Sequence, residues 1–188
     1  MNHNDHVALL RGAIDSPPAG AKGGRWAELG SGEGAFTQAL AELLGAVELL
    51  SVDLDRRALE RQRSAMRRFP GASVRYRVAD FTGDLDLTPG SLDGILMANS
   101  LHYVRDKEAV LARLIRALRP GGRLALIEYD TDTGNRWVPY PLPYRTWEAM
   151  AARLGLAGTR RTGSVPSRFL GSMFSAASTV PSAERPAG

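Results

Sequence analysis

The 188-residue chain contains no cysteine and only two lysines. Without cysteine, the chain cannot form a disulfide framework, a thiolate zinc site, an iron–sulfur cluster or a cysteine nucleophile. No run of apolar residues approaches the length that spans a bilayer, and the polar N-terminus lacks the apolar segment of a signal peptide. We therefore expect a cytoplasmic protein with no membrane partner.

Hydrophobic residues make up 44% of the chain and charged residues 23%, which is typical of a globular domain with its own core. The net charge is +4, and such a small surplus bears on solubility more than on fold. We expect an N-terminal helix and linker over residues 1–24, a catalytic-type domain over 25–177 and a flexible tail over 178–188. Residues 15–24 are rich in turn formers.

Strand-like and helix-like segments alternate through most of the chain. The strands are predicted at 25–29, 47–52, 73–79, 92–98 and 124–128, with weaker ones near 158–165 and 169–177. The helices are predicted at 5–14, 35–44, 56–69, 107–118 and 144–154. This alternation indicates βαβ units and a parallel sheet with helices on both faces. Ligands of such sheets bind beyond the carboxyl ends of the strands, so the residues there are the candidates for function.

Three glycines, Gly30, Gly32 and Gly34, lie between the first strand and the following helix. Glycine removes the Cβ that would keep a ligand away from the backbone. The N-terminus of the next helix offers free N–H groups and the positive end of the helix dipole. The segment therefore predicts a site for a polar or anionic cofactor. It also fits the dinucleotide fingerprint, so the glycines alone do not choose between cofactors.

Acidic and apolar residues follow the next two strands. Asp53 ends the second strand, and one carboxylate there can accept hydrogen bonds from both hydroxyls of a ribose. Leu54 is placed to pack on an adenine face, whereas Asp55 is expected to cap the next helix. Asp80 and Phe81 follow the third strand, where a carboxylate can accept the exocyclic amine of adenine and a ring can line the base.

With these motifs in this order, residues 25–130 resemble the class I S-adenosylmethionine-dependent methyltransferases. The run from Glu28 to Gly34 is similar to their first motif, acid-x-Gly-x-Gly-x-Gly. Arg119-Pro120-Gly121-Gly122 is similar to the turn before their fifth strand. The resemblance implies a Rossmann-like three-layer αβα sandwich with a mostly parallel seven-stranded sheet. It also implies the strand order 3-2-1-4-5-7-6, with strand 7 antiparallel, and S-adenosyl-L-methionine as cofactor, giving S-adenosyl-L-homocysteine.

The resemblance also implies a set of cofactor-binding residues. It puts Glu28 near the ammonium group of the methionine part and Asn99 at the methionine end after the fourth strand. The remaining members of the set are Gly30, Ser31, Gly32, Gly34, Asp53, Leu54, Asp80 and Phe81. The absence of an Asn-Pro-Pro-Tyr-like run argues against the branches that methylate amino groups of DNA or protein glutamine. The absence of cysteine excludes the cytosine-C5 mechanism.

Methyl transfer from a sulfonium is an in-line displacement that needs mainly alignment and a shielded site. A base is needed only where the acceptor must lose a proton, and His102 is the first candidate because its ordinary pKa lies near neutrality. A purely local hydrogen bond is the competing interpretation of His102. Tyr103, Tyr129 and Asp130 are further candidates for acceptor contacts. His3 and His6 are expected to be solvent-exposed, and no metal is expected.

The segment 131–147 combines several aromatic residues, among them Trp137 and Tyr140, with three prolines. One hypothesis is a lid over the acceptor pocket that favours an apolar or aromatic small molecule. The alternative is a hydrophobic strap that pins the loop to the body of the domain. The six arginines of the helix over 56–69 fit either a nucleic-acid footprint or a solvated face, and we favour the solvated face because charge runs on helices usually have that role.

We therefore predict a methyltransferase that acts on a small-molecule acceptor. A homodimer is compatible with the sequence, and nucleic acid is not the expected partner. RNA methylation and a non-catalytic S-adenosylmethionine-binding protein are the alternatives. A nicotinamide-dependent oxidoreductase is disfavoured because Asp80 and Phe81 would have no role in it.

Overall fold

The computed structural model describes residues 1–14, 23–167 and 169–182. The five helices are α1 (His3–Ile14), α2 (Ala35–Leu44), α3 (Arg56–Ala65), α4 (Lys107–Leu114) and α5 (Tyr144–Arg153). The seven strands are β1 (Arg25–Leu29), β2 (Val47–Asp53), β3 (Ala72–Val78), β4 (Leu92–Ala98), β5 (Leu118–Tyr129), β6 (Ala157–Pro166) and β7 (Ser172–Thr179). Most of the predicted linker and the end of the predicted tail lie outside the described residues.

All seven strands join one sheet in the order β3-β2-β1-β4-β5-β7-β6. The first five pair in parallel, whereas β7 is antiparallel to both β5 and β6. The predicted fold class and strand order are confirmed. Because β1 to β5 are parallel, the segments that follow them meet at one edge of the sheet, which we call the carboxyl edge.

The burial of the strands follows from their sequences. β4 is apolar on both faces and lies at the centre of the sheet, buried along most of its length. β3 alternates exposed and half-buried residues and lies at the edge of the sheet, as predicted. The helix α3 begins at Asp55, whose side chain accepts the N–H of Arg57 at 2.8 Å. This is the capping role predicted for Asp55.

Each face of the sheet carries its own apolar core. Helices α1 and α2 cover one face, where Leu10 and Leu40 pack with Trp26. Helices α4 and α5 cover the other, where Leu111 and Trp147 pack against the inner strands. The N-terminal helix is therefore part of the packed body. None of the helices in the described ranges has both the length and the apolar character that a bilayer span requires.

Several predicted boundaries shift. β5 begins at Leu118, although the Arg-Pro-Gly-Gly run was expected to form a break, because Leu118 already pairs with Leu92 before a register shift. β7 extends to Thr179, two residues beyond the end predicted for the last strand. The connection between β3 and β4 contains no helix, and it leaves a cavity of about 810 Å³ over the sheet face near Arg75 and Leu87.

Candidate cofactor and acceptor site

The glycine loop between β1 and α2 forms the centre of the carboxyl edge. Gly30 and Gly34 have positive φ angles of 74° and 83°. A Cβ at Gly30 would overlap the side chain of Ser100, and one at Gly34 would overlap the side chain of Gln62. A Cβ at Gly32 would meet nothing within 4 Å, so this backbone faces open space. The loop is therefore tightly packed at two glycines and accessible at the third.

Asp53 links the end of β2 to this loop. Its Oδ2 accepts the backbone N–H of Gly32 at 2.7 Å, and its Oδ1 accepts that of Asp55 at 2.8 Å. Each carboxylate oxygen keeps a further lone pair, so the group can still accept hydroxyl protons. The neighbouring Leu54 exposes 68% of its surface. An acid beside an exposed apolar side chain fits the predicted ribose and adenine contacts.

Asp80 and Phe81 lie beside Asp53 at the end of β3. The N–H of Ala79 donates to the carbonyl oxygen of Asp53 at 3.1 Å, which joins the two strand ends. Asp80 is exposed, and its Oδ1 accepts the backbone N–H of Thr82. The half-buried ring of Phe81 lies next to Gly30. The structure thus brings these two predicted adenine residues to the glycine loop.

Asn99 has an unusual conformation at the end of β4. Its φ is 53°, a left-handed value that asparagine tolerates better than most residues. Its backbone N–H donates to the carbonyl oxygen of Ile127 at 2.9 Å, whereas its buried side-chain Oδ1 has no hydrogen-bond partner. A buried acceptor without a donor is costly, so Oδ1 is poised to accept from a bound group.

Two predicted cofactor residues are turned into the protein instead. Glu28 is fully buried below the glycine loop and accepts a hydrogen bond from the hydroxyl of Thr37. Burial raises the pKa of Glu28 to about 8, although the Thr37 hydrogen bond opposes the rise and the charge of Asp53 adds to it. The carboxyl is therefore mostly neutral at pH 7. The hydroxyl of Ser31 points to Ser51 and Gln62.

His102 forms a buried pair with Glu128, at the end of β5. Nδ1 of His102 lies 2.8 Å from Oε2 of Glu128, whose Oε1 accepts the backbone N–H groups of Leu101 and His102 at 2.8 and 3.1 Å. A carboxylate only accepts, so Nδ1 carries a proton and donates it to Oε2. Glu128 is not among the residues predicted from the sequence, although a lone acid ending an apolar strand is a usable signal.

Aromatic side chains surround this pair. The ring centroid of His102 lies 4.3 Å from that of Tyr103 and 5.5 Å from that of Tyr129. The N–H of Tyr140 donates to the carbonyl oxygen of His102 at 3.0 Å. Tyr129 is buried, and burial raises its pKa. Trp137 lies in the same loop as Tyr140, exposes 63% of its surface and has the guanidinium of Arg136 over its ring.

Asp130 does not join the other candidate acceptor residues. Its Oδ1 accepts the N–H of Tyr144 at the start of α5, at 2.9 Å, and its Oδ2 pairs with Arg161 of β6 at 2.7 Å. These contacts hold α5 and β6 to the end of β5, which gives Asp130 a structural role.

The expectation of exposed N-terminal histidines is wrong. The error concerns His6, whose half-buried ring packs edge-on against Phe36, whereas the His3 side chain is 39% exposed and pairs with Glu42 at 2.6 Å. Within the described residues, no group of three or more acidic or histidine side chains is arranged to hold a metal ion.

One pair of residues shares a spacing with nicotinamide-dependent enzymes. Tyr103 and Lys107 have the Tyr-x-x-x-Lys spacing of some nicotinamide-dependent oxidoreductases. In the structure, the buried Nζ of Lys107 donates to the carbonyl oxygen of Val104 at 2.7 Å, and the ring of Tyr103 packs at a tilt of 48° against that of His102. The lysine thus serves the local turn.

Comparison with known proteins defines the family. A family model described as a methyltransferase domain matches residues 27–124. The chain therefore belongs to the methyltransferase domain family, and its resemblance to the class I S-adenosylmethionine-dependent methyltransferases is confirmed. It is 31% identical over 113 residues to an O-methyltransferase, cnsE, of Penicillium expansum, covering 60% of this chain and 40% of that protein.

Two further comparisons also give methyltransferases. A demethylmenaquinone methyltransferase of Tropheryma whipplei (strain Twist) is 33% identical over 103 residues, which are 55% of this chain and 41% of that protein. The chain thus spans less than half of either relative. Among solved structures, the CurJ carbon methyltransferase has a TM-score of 0.72 at 20% identity, covering 90% of this chain and 51% of that chain. At this identity the likeness concerns the fold.

Proposed function

We propose that this protein transfers a methyl group from S-adenosylmethionine to a small-molecule acceptor and releases S-adenosylhomocysteine. One observation carries the proposal. The carboxyl edge unites an open glycine loop, the Asp53 carboxylate and the unpartnered Oδ1 of Asn99 with the buried pair of His102 and Glu128. The first three would bind a polar cofactor, and the pair would take a proton from an acceptor bound next to it.

The residues of this edge fit the cofactor. S-adenosylmethionine supplies a methyl group on a positively charged sulfur, already activated for displacement. Asp53 would accept the ribose hydroxyls, and Leu54 and Phe81 would offer apolar surface to the adenine. The carboxylate of Asp80 would accept a hydrogen bond from the exocyclic amine of the adenine. The free Oδ1 of Asn99 would accept from the ammonium group of the methionine part.

His102 would serve the acceptor. Its Nε2 would take the proton that the reacting atom of the acceptor loses, while the Glu128 carboxylate stabilises the imidazolium that results. Tyr103, Tyr129 and Tyr140 would contact an apolar or aromatic acceptor, and Trp137 would close over it. Since the prolines limit the motion of this loop, Trp137 would move with the whole segment.

The alternatives receive less support. On α3, Arg61 pairs with Glu33 at 2.9 Å and Arg63 stacks on Tyr76, so these two arginines already have partners within the protein. RNA methylation therefore remains a secondary hypothesis. A cytoplasmic location, a homodimer and the division into domains stay predictions.

Calorimetric titration with S-adenosylhomocysteine tests the cofactor part of the proposal. We expect binding by the wild type and at least about tenfold weaker binding by Asp53→Ala, a loss of ~1.4 kcal/mol. Asp132→Ala, which removes an exposed carboxylate paired with Arg145, is the matched control and should bind as the wild type does. A folded wild type that does not bind would contradict the proposal.

A further inference from the structure

A continuous chain of buried polar groups runs beneath the glycine loop. Its members come from five different elements and are Glu28, Ser31, Thr37, Ser51 and Gln62. The hydroxyl of Ser51 lies 2.7 Å from that of Ser31. Buried polar groups are stable only when they satisfy one another, so these side chains hold a fixed arrangement.

Gln62, on the inner face of α3, is the centre of this chain. Its Nε2 donates to Oγ1 of Thr37 at 2.6 Å. Its Oε1 lies 3.0 Å from the hydroxyl of Ser51 and 3.3 Å from that of Ser31. The amide thus donates to the hydroxyl on α2 and accepts from the pair of hydroxyls on β2 and the loop, of which at least one donates to it. An apolar side chain can do neither.

Gln62 also packs against the far end of the same loop. A Cβ at Gly34 would overlap its Cγ, so its aliphatic stem occupies the space beside that glycine. The loop is therefore held from α3 at two points, by a hydrogen bond at Ser31 and by packing at Gly34. A single side chain on a neighbouring helix therefore contacts the loop on both sides of Gly32, the residue that Asp53 holds by its N–H.

We propose that Gln62 is a positioning residue for the cofactor-binding loop 30–34, acting through Ser31 and Gly34. This inference rests on the proposed function, because the loop is the segment expected to bind the cofactor. Loss of the amide leaves the hydroxyls of Thr37, Ser31 and Ser51 with fewer partners. The loop then samples conformations in which the N–H of Gly32 and the carboxylate of Asp53 no longer meet.

The decisive variant is Gln62→Met, which keeps the length of the side chain and removes its amide. Leu59→Ala is the matched control, because Leu59 is buried on the same helix and makes no hydrogen bond to the loop. We expect Gln62→Met to bind S-adenosylhomocysteine at least about tenfold more weakly by calorimetry. Leu59→Ala should lose at least as much stability to urea and keep its affinity within about twofold, since truncating a buried leucine weakens the packing of α3 without removing a hydrogen bond to the loop.

Amide hydrogen exchange on the cofactor-free protein provides a second measurement. Residues 30–34 should exchange faster in Gln62→Met than in Leu59→Ala at conditions of equal global stability. Ser31→Ala should give part of the same effect. The double variant of Ser31 and Gln62 should lose less than the sum of the single losses, because the two side chains share a bond.

The outcomes separate the two proposals. Wild-type affinity together with control-like exchange in Gln62→Met would overturn the positioning role and leave Gln62 as a core residue. If the wild type itself fails to bind S-adenosylhomocysteine, the proposed function fails, and the exchange of residues 30–34 still decides whether Gln62 positions the loop.

Discussion

The imidazole of His102 and the carboxylate of Glu128 meet at 2.8 Å in a site where His102 is only 2% exposed. Two backbone N–H groups on the other oxygen of Glu128 fix the carboxylate, so the ring has one orientation. Orientation of a histidine by a buried acid is a recurring way to prepare a proton acceptor. The competing interpretation, a purely structural pair, makes different predictions.

If His102 accepts the proton, His102→Ala should lower kcat by about 10²–10⁴-fold, the usual contribution of a positioned base. Its affinity for S-adenosylhomocysteine should stay within about twofold of wild type. Glu128→Gln should also lower kcat, because the amide no longer stabilises the imidazolium. The assay follows methyl transfer to an acceptor selected from small aromatic and aliphatic compounds. Glu148→Gln, at an exposed position of α5, is the control, and an unchanged kcat in His102→Ala would mark the pair as structural.

The raised pKa of Glu28 predicts a pH effect on stability. The folded protein holds this proton up to about pH 8, whereas the unfolded chain releases it near 4.5. The folded state binds more protons between these values, so the free energy of unfolding falls as pH rises across them. In Glu28→Gln this contribution is absent. Urea unfolding from pH 5 to 9 should therefore show a shallower decline for the variant. Parallel curves for the two proteins would refute the shift.

Trp137 distinguishes the lid from the strap. Because its side chain is largely exposed, Trp137→Ala should change the free energy of unfolding by no more than about 0.5 kcal/mol. It should raise the KM for the acceptor and leave cofactor affinity unchanged. Val138→Ala, which truncates a buried neighbour, should instead reduce stability. Equal losses of acceptor use and cofactor affinity in Trp137→Ala would eliminate the lid hypothesis.

Two glycines of one loop should respond differently to alanine. In Gly32→Ala the new methyl group meets open space, so the main cost is that of a left-handed backbone at alanine. We expect the free energy of unfolding to fall by about 1–2 kcal/mol and the protein to remain folded. If the cofactor binds against this loop as proposed, the new methyl group occupies the open space it would enter, and binding of S-adenosylhomocysteine should be lost. Gly30→Ala adds a clash with Ser100 and should lose more stability. Thermal unfolding and calorimetry give both quantities, and equal losses of stability in the two variants would contradict this difference.

Much of the fold could be predicted because its signals are local. The exposed alternation of β3, the apolar run of β4 and the cap at Asp55 each arise from a few consecutive residues. The start of β5 could not be predicted, because a Pro-Gly-Gly run is typical of a turn. Only the pairing of Leu118 with Leu92 on the neighbouring strand shows that the strand begins before this run.

The residues of the site also differ in whether local sequence or distant contacts determine their positions. The position of Asp53 at the carboxyl edge could be predicted because it is the last residue of a strand. Gln62 could not, because in an arginine-rich helix only its distant partners show that it is buried. Asp130 follows a strand too, but the N–H of Tyr144 and the guanidinium of Arg161 engage both its oxygens.

The buried amine of Lys107 has a practical consequence. It is the one lysine within the described residues, 6% exposed, with its Nζ 5.6 Å from the ring centre of Tyr140. Burial lowers its pKa, which favours the reactive neutral amine, yet the surrounding side chains shield it from reagents. We therefore expect Lys107 to be acylated only when the side chains around its Nζ, the ring of Tyr140 among them, move apart. The rate at which a dissolved acylating reagent modifies Lys107 would then measure how often this part of the structure opens. The measurement needs no label on the protein.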